Sequence, residues 1–285
     1  MAYFLVSTEH LQDKLWFRDN EDFKAGMNFV ALCSTMTGVR ILAFILMSNH
    51  IHLVVEGSPE QVRHLINQLK RQFSRYLSYR YGLKETLRRN NVDIRILPEE
   101  DESLERAIAY VIMNCVAANI CYHPAVYPWG SGAWYFNAMA VKGTPMGLLS
   151  RRARQRLIHS KHSLPCDFIV GEDGYILPCS YIPTGFVEAL FKTPKRFNYF
   201  LANSSKARMR LAEEAMPSFR DQSILAASQD LCQSLFRCNG LQELDGEQTK
   251  QLIKELRRRF SADAAQLARV TGLTYSETVN MLDSI

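Results

Sequence analysis

Met47-Ser48-Asn49-His50-Ile51-His52-Leu53-Val54-Val55-Glu56 sets two histidines one residue apart inside an apolar, β-branched run that reads as a strand. Val39 to Met47 is a second such run, and the short Ser48-Asn49 link makes the two antiparallel neighbours. Alternation along the second strand sends both imidazoles to one face and Ile51 to the other. Two adjacent imidazoles can grip one divalent cation, and they serve a core less well than Leu53, Val54 and Val55 do. The plainer reading is a pair of half-exposed strand histidines. Spacing alone divides the two readings evenly, because two ligands do not complete a site.

Outward from this hairpin the elements alternate. Ala2 to Ser7 is a short apolar strand, and Asn20 to Thr37 a helix that starts at an asparagine cap. Pro59 opens a helix in which Val62, Leu65, Ile66, Leu69, Phe73, Tyr76 and Leu77 keep helical spacing, with Arg63, Lys70 and Ser74 on the opposite stripe. Val92 to Leu97 is a fourth strand. A helix from about Glu102 to Tyr122 follows, with Leu104, Ile108, Val111 and Cys115 along its buried stripe. The order strand, helix, strand, strand, helix, strand, helix describes an α+β fold, a ferredoxin-like antiparallel sheet with helices on one face.

Tyr110 and Asn114 lie four apart on that last helix, at the edge of its buried stripe. Taken singly, Tyr110 reads best as a boundary residue with a packed ring and a wet hydroxyl, and Asn114 as a satisfied polar residue. Taken with a His-x-His strand beneath the helix, they complete a three-ligand site with a nucleophile one turn away.

Composition bounds the rest. The 285 residues are 47% hydrophobic and 22% charged, as in an ordinary globular chain. The longest apolar run, Ile41 to Met47, is too short to span a bilayer, and Glu9 and Asp13 stand where a signal peptide needs an apolar core, so a cytoplasmic protein without a membrane partner is expected. Seven cysteines without C-x-x-C spacing fit reduced, buried thiols better than zinc ligands at Cys115, Cys121, Cys232 and Cys238. The net charge of +5 is unevenly spread. Glu60 to Asn90 holds eight basic residues against two acids, including Arg63, Lys70, Arg71, Arg75, Arg80, Lys84, Arg88 and Arg89. Lys142 to His162 and Lys192 to Arg210 repeat the bias, while acids gather at Glu99 to Glu105. Such runs are usually solvated faces, yet several in one chain point to phosphates, and nucleic acid is the natural partner.

The sequence resembles the HUH-type single-tyrosine transposases, in particular the REP-associated tyrosine transposases. The resemblance spans roughly residues 1 to 136. It rests on the Val39 to Glu56 block with its His-hydrophobic-His motif, on Tyr110-x-x-x-Asn114, and on Tyr127-Pro128-Trp129-Gly130-Ser131. It implies that His50, His52 and Asn114 ligate a Mg²⁺ or Mn²⁺ ion and that Tyr110 is the nucleophile. It further implies a bacterial, metal-dependent transposase, a monomer or homodimer. The enzyme would cut and rejoin single-stranded DNA beside REP-like hairpins through a 5′-phosphotyrosine. The chemistry suits the residues: two neutral imidazoles and an amide oxygen bring no charge of their own, so a bound ion would recruit the scissile phosphate, and no catalytic carboxylate is required. A tyrosine with an ordinary pKa of about 10 needs help to lose its proton. No nucleotide is needed, and no Walker-type glycine loop is present.

The chain departs from the family in two places that bear on substrate choice. The aromatic and arginine-rich segment before the catalytic helix is here Asn90-Asn91-Val92-Asp93-Ile94-Arg95, and the N-terminal arm is only Met1-Ala2-Tyr3-Phe4. Tyr76, Tyr79, Tyr81, Trp129, Trp134, Tyr135 and Phe136 interleave with the basic runs, and exposed ones can stack unpaired bases. Beyond residue 140 only pattern remains. Lys142 to Lys161 reads as a basic helix or loop, and Phe186 runs on through Lys195, Arg196, Tyr199 and Leu201 as a helical candidate. At the C-terminus, helices from Gln248 to Phe260 and from a Ser261 cap to Val270 are followed by a Gly272 turn and a Thr274-x-x-Glu277 capping box. That is a helix-turn-helix reading duplex DNA or a small bundle that only packs, and Arg257, Arg258 and Arg259 favour DNA.

The expected organisation is a catalytic unit over 1–140, a basic extension over 141–243 and a helical unit over 244–285. Two rival functions remain: a domesticated, non-catalytic DNA-binding regulator on the same fold, and a histidine-based phosphodiesterase. The first has no need to keep His50, His52, Tyr110 and Asn114 together. The second wants further histidines or acids near the pair, and His64, on the basic helix, is in the wrong setting.

Overall fold

The computed structural model describes residues 2–8, 15–83, 87, 92–98, 102–137, 141–209, 221–260, 262 and 264–283. Several residues named above lie outside them: Met1, Glu9, Asp13, Lys84, Arg88, Arg89, Asn90, Asn91, part of the Glu99 to Glu105 run, Arg210 and the Ser261 cap.

Four strands, β1 (Ala2–Ser7), β2 (Arg40–Met47), β3 (His50–Gly57) and β4 (Asp93–Leu97), form an antiparallel sheet in the order β2-β3-β1-β4. Between them run α1 (Asn20–Thr37) and α2 (Pro59–Tyr81), which completes the ferredoxin-like alternation. The hairpin register pairs Met47 with His50 and Arg40 with Glu56, with one irregularity between Ile41 and Ala43. On the other side of β3, His52 pairs with Ser7 and Val54 with Leu5. β3 is therefore internal, which is why its apolar residues are buried on both faces.

Local chemistry explains the helix ends. Asp19, rather than Asn20, caps α1: its side chain accepts from the Asp22 N–H, and Gly38 ends the helix in the left-handed region at φ +69°. Ser58 and Gln61 close a reciprocal capping box ahead of Pro59 in α2. The two helices pack together through Phe29 and Phe73, whose rings meet edge to face at 5.1 Å.

Ile51 and Leu53 share a small space with Ile66 and Leu69 of α2, so the odd-numbered side chains of β3 face α1 and α2. The even-numbered ones, His50, His52 and Val54, face the opposite side. That side is covered by α3 (Ser103–Ile112), which continues after Met113 as the single turn α4 (Asn114–Ala117). The expected helix to Tyr122 thus stops short. The Asn114 side chain donates to the carbonyls of Tyr110 and Val111 and competes with the backbone ladder, and Asn119 turns to φ +53°.

Beyond α4, residues 129–131 lengthen the sheet along the outer edge of β2: Leu46 N–H donates to Trp129 O and Ser131 N–H to Phe44 O. Tyr127 and Tyr135 donate their hydroxyls to Leu46 O and Leu42 O, so groups a bare edge would expose are satisfied. The extension holds β5 (Thr144–Pro145), α5 (Arg151–Leu157), β6 (Ile169–Val170), α6 (Thr184–Phe191) and α7 (Pro194–Met209). The single helical candidate expected there is two helices, separated at Lys192, which sits at φ +65°. Met146, Ile158, Phe168, Ile176, Val187 and Phe191 join the core of the sheet unit. Asn28 of α1 holds the extension in place, donating to Leu157 O and accepting from Ile176 N–H.

A second core is built from α8 (Asp221–Leu235), α9 (Gly246–Phe260), α10 (Ala264–Thr271) and α11 (Tyr275–Asp283). Gly272 at φ +78° makes the α10–α11 turn, and the Thr274–Glu277 capping box forms as its spacing predicts. Among the described residues no helix is long and apolar enough to cross a membrane.

Candidate functional site

β3 and α3 meet at three aromatic rings. His52 is fully buried and His50 half-buried, and their rings lie 4.8 Å apart at 85°. The Tyr110 ring stands 5.6 Å from that of His52 at 86°. Strand parity brings the imidazoles together, and the helix edge brings the phenol over them. The Ser48-Asn49 turn fixes His50: Asn49, 6% exposed, sets its Oδ1 2.8 Å from Nδ1 of that ring. In the neutral imidazole that contact requires Nδ1 to carry the proton, which leaves the lone pair on Nε2.

Asn114, 4% exposed, lies one helical turn on from Tyr110. Its Nδ2 donates to Tyr110 O at 2.8 Å and to Val111 O at 3.1 Å, so the amide orientation is determined and oxygen is the end a cation would take. Taken together as donors, two imidazoles and one amide oxygen would bring no charge of their own. Among the described residues there is no cluster of three His, Cys, Asp or Glu side chains, so a metal here depends on that amide. Two imidazoles and an oxygen fit an ion that fills the remainder of its shell from water and a substrate phosphate.

The helix that carries Tyr110 is anchored by the extension that packs on the sheet unit. Arg196 of α7 donates to Glu102 at 2.8 Å and to Glu105 at 3.1 Å, across the first turn of α3. The cysteines are free thiols. A hydrogen bond with Cys121, and then burial, hold the Cys115 thiol far up the scale, and burial pushes Cys33 up to about 12, so neither serves as a nucleophile.

The basic candidates fall elsewhere. Arg63, Arg71 and Arg75 are exposed along α2, and Lys70, half-buried there, has its ammonium pKa lowered by burial. Because α2 covers the Ile51 face, this stripe lies across the sheet from Tyr110. A strand touching both has to pass around the sheet. Arg257 and Arg258 are exposed at the end of α9, where Glu255 pairs with Arg258 at 2.6 Å and with Arg259 at 2.7 Å. The helix after the Gly272 turn, α11, Tyr-Ser-Glu-Thr-Val-Asn-Met-Leu-Asp, contains no Lys or Arg to contact phosphates. Of the interleaved aromatics, Tyr79 is 89% exposed, whereas Tyr76, Trp129 and Tyr135 belong to the core.

Sequence pattern did not reveal the residues beside His50. Asp221, at the start of α8, accepts from Ser48 Oγ at 2.8 Å, from Gln266 Nε2 at 2.8 Å and from Arg269 Nε at 3.3 Å. Gln222 donates to Phe17 O at 2.7 Å. These contacts seat α8 and α10 on the β2–β3 turn. No local motif signals an interaction across 173 residues.

Residues 14–92 match the family model described as "Transposase IS200 like". The matched stretch contains α1, the hairpin with His50 and His52, and α2, and stops short of Tyr110 and Asn114. A solved structure, "Structure of the REP associates tyrosine transposase bound to a REP hairpin", aligns over 50% of this chain and 88% of that chain at 11% identity and a TM-score of 0.33. No curated protein matches the chain.

Proposed function

We propose that the protein is a transposase of the single-tyrosine HUH type that cuts and rejoins single-stranded DNA beside hairpins. The match of residues 14–92 supports the transposase reading, and it includes the strand that bears both histidines. The observation that carries the mechanism is the run of rings His50, His52 and Tyr110, with the Asn114 amide turned by two carbonyls one helical turn on.

His50 and His52, through ring nitrogens, and Asn114, through its amide oxygen, would hold Mg²⁺ or Mn²⁺. When bound, the ion withdraws charge from the phosphate oxygens and favours the tyrosinate. The Tyr110 hydroxyl gives its proton to solvent and its oxygen attacks the scissile phosphorus in line; a P–O(tyrosine) bond forms as the P–O3′ bond breaks, and the leaving 3′ oxygen takes a proton from solvent to become a hydroxyl. The energy of the phosphodiester is kept in the phosphotyrosine, and attack by a 3′-hydroxyl reverses the step and joins strands. The surrounding packing limits the freedom of the phenol, since His52 is buried beneath it and Arg196 ties the helix down. The exposed arginines of α2 would bind the DNA backbone by charge and without sequence preference.

The test is to incubate the protein with labelled, hairpin-bearing single strands and Mn²⁺ and to look for a DNA-linked protein band on a denaturing gel. A band dependent on Tyr110 and on the ion supports the reading. Tight binding without a band, under any divalent ion, would instead identify a non-catalytic DNA-binding regulator.

A further inference from the structure

A cavity of about 520 Å³ opens beside His50, between the β2–β3 turn and the C-terminal helices. Its walls differ in kind. Trp129 and Ile120 give an apolar side, and Trp129 is held flat against Phe23 at 5.0 Å and 10°. Asn49 and Gln266 bring amides from the other sides, and Arg269 brings a guanidinium. Ser223 and Ala226 of α8 stand exposed at the mouth.

The charge balance tells against a bare anion as the occupant. Arg269 is already paired with Asp221, which is 4% exposed, so the cavity presents no uncompensated positive charge from that pair. Asn49 Oδ1 lies against His50 Nδ1 and Gln266 Nε2 donates to Asp221, so these amides shape the cavity, and the apolar Trp129 and Ile120 side is the surface a flat, neutral ring would lie against. The volume lies within the range of small-molecule sites and exceeds what one base needs. His50 is both a wall of this cavity and a member of the ring cluster, so an occupant sits directly beside the group that would receive a DNA phosphate.

We propose that this cavity takes one unstacked nucleobase of the DNA strand, next to the phosphate attacked by Tyr110, and that α8 and α10 thereby select the base at that position. The inference rests on the reading above that the substrate is single-stranded DNA. It gives the C-terminal helices a role at the cleavage point, independent of duplex DNA.

The test uses full-length protein and a pool of single strands carrying a fixed hairpin with randomised flanks. Two fractions are sequenced: strands covalently linked to wild type in Mn²⁺, and strands bound by Tyr110→Phe. Both should show a preference of roughly ten-fold for one base at one flanking position, the scale of losing a base contact. Ala226→Trp and Ser223→Trp, at exposed positions, should fold with an unchanged thermal midpoint. Each should flatten that preference to within about two-fold while the hairpin is still bound. The proposal is overturned if these two variants keep the wild-type profile, or if no flanking position shows a preference. An empty covalent fraction would sink the reaction assigned to Tyr110, and the bound fraction would still decide the cavity.

Discussion

The Tyr110 ring stands edge-on to the His52 imidazole, with centroids 5.6 Å apart. An edge-to-face contact of this kind contributes about 0.5–1.5 kcal/mol and depends on the ring rather than the hydroxyl. Tyr110→Phe should therefore keep its fold and its affinity for hairpin DNA while the covalent adduct falls to background. A denaturing gel and a binding titration check the two halves. An undiminished adduct would move the nucleophile to Tyr122, which is 85% exposed; Tyr127 is 3% exposed and spends its hydroxyl on Leu46 O.

Removing the ion separates binding from chemistry. A site of two imidazoles and an amide brings no negative charge, so it should bind Mn²⁺ weakly, and chelation should abolish the adduct without unfolding the chain. His50→Ala should raise the Mn²⁺ needed for half-maximal adduct by at least the roughly 10–100-fold that a lost second-shell partner costs. Adduct formation that persists in chelator would exclude the ion from the reaction.

The sheet unit is legible in the sequence because its signals are local. Val39 to Met47, the Ser48-Asn49 turn and His50 to Glu56 state their period and their reversal within eighteen residues, and the strands fall at Arg40–Met47 and His50–Gly57. The end of α3 is not legible. Val116 and Ile120 continue the helical spacing, and nothing in it says that Asn114 turns its amide back onto the chain. Periodicity shows that Tyr110 and Asn114 share an edge of the helix; their assigned roles come from family resemblance. Asp221 is invisible to both approaches, since Ser48, Gln266 and Arg269 reach it only after the C-terminal helices dock.

Gly130 marks a close approach. A Cβ there would lie 2.9 Å from Phe44 O and 3.3 Å from Ile45 Cα, both backbone atoms of β2 that cannot swing aside. Gly130→Ala should lower stability by about 1–3 kcal/mol, as overpacking does. Denaturant unfolding measures it. A midpoint equal to wild type would mean that residues 129–131 do not lie along β2.

Acid should weaken the seam between α1 and α2. Burial raises the Asp19 carboxyl pKa, yet hydrogen bonds from Arg80 and from the Asp22 N–H outweigh it, and the group lies below the usual carboxylate range. A folded value depressed below the unfolded one, about 3.9, adds stability that is fully present above that pH and is lost as pH falls through the folded value. Asp19→Asn keeps a capping side chain and loses the charge. It should cost about 1 kcal/mol or less at pH 7, given the partial exposure of the pair, and the gap from wild type should close in acid. Stability measured from pH 7 down to about pH 3 decides it.

Asp221 should carry the coupling between the C-terminal helices and the histidine hairpin. Its carboxylate is 4% exposed and accepts from Ser48 on one side and from Gln266 and Arg269 on the other. Asp221→Ala leaves three donors without that acceptor and removes the counter-charge of Arg269. Breaking a buried pair costs about 3–5 kcal/mol, and the partial exposure of Arg269 places this case toward the lower end. Asp221→Asn keeps the shape and one acceptor, so it should lose less. Hydrogen exchange should rise in α10 and in the Ser48–His50 turn, while the Leu5–Val54 pairing at the sheet centre keeps its protection. If exchange rises in α10 alone, the turn is held by the sheet unit, and the C-terminal helices have no mechanical hold on His50.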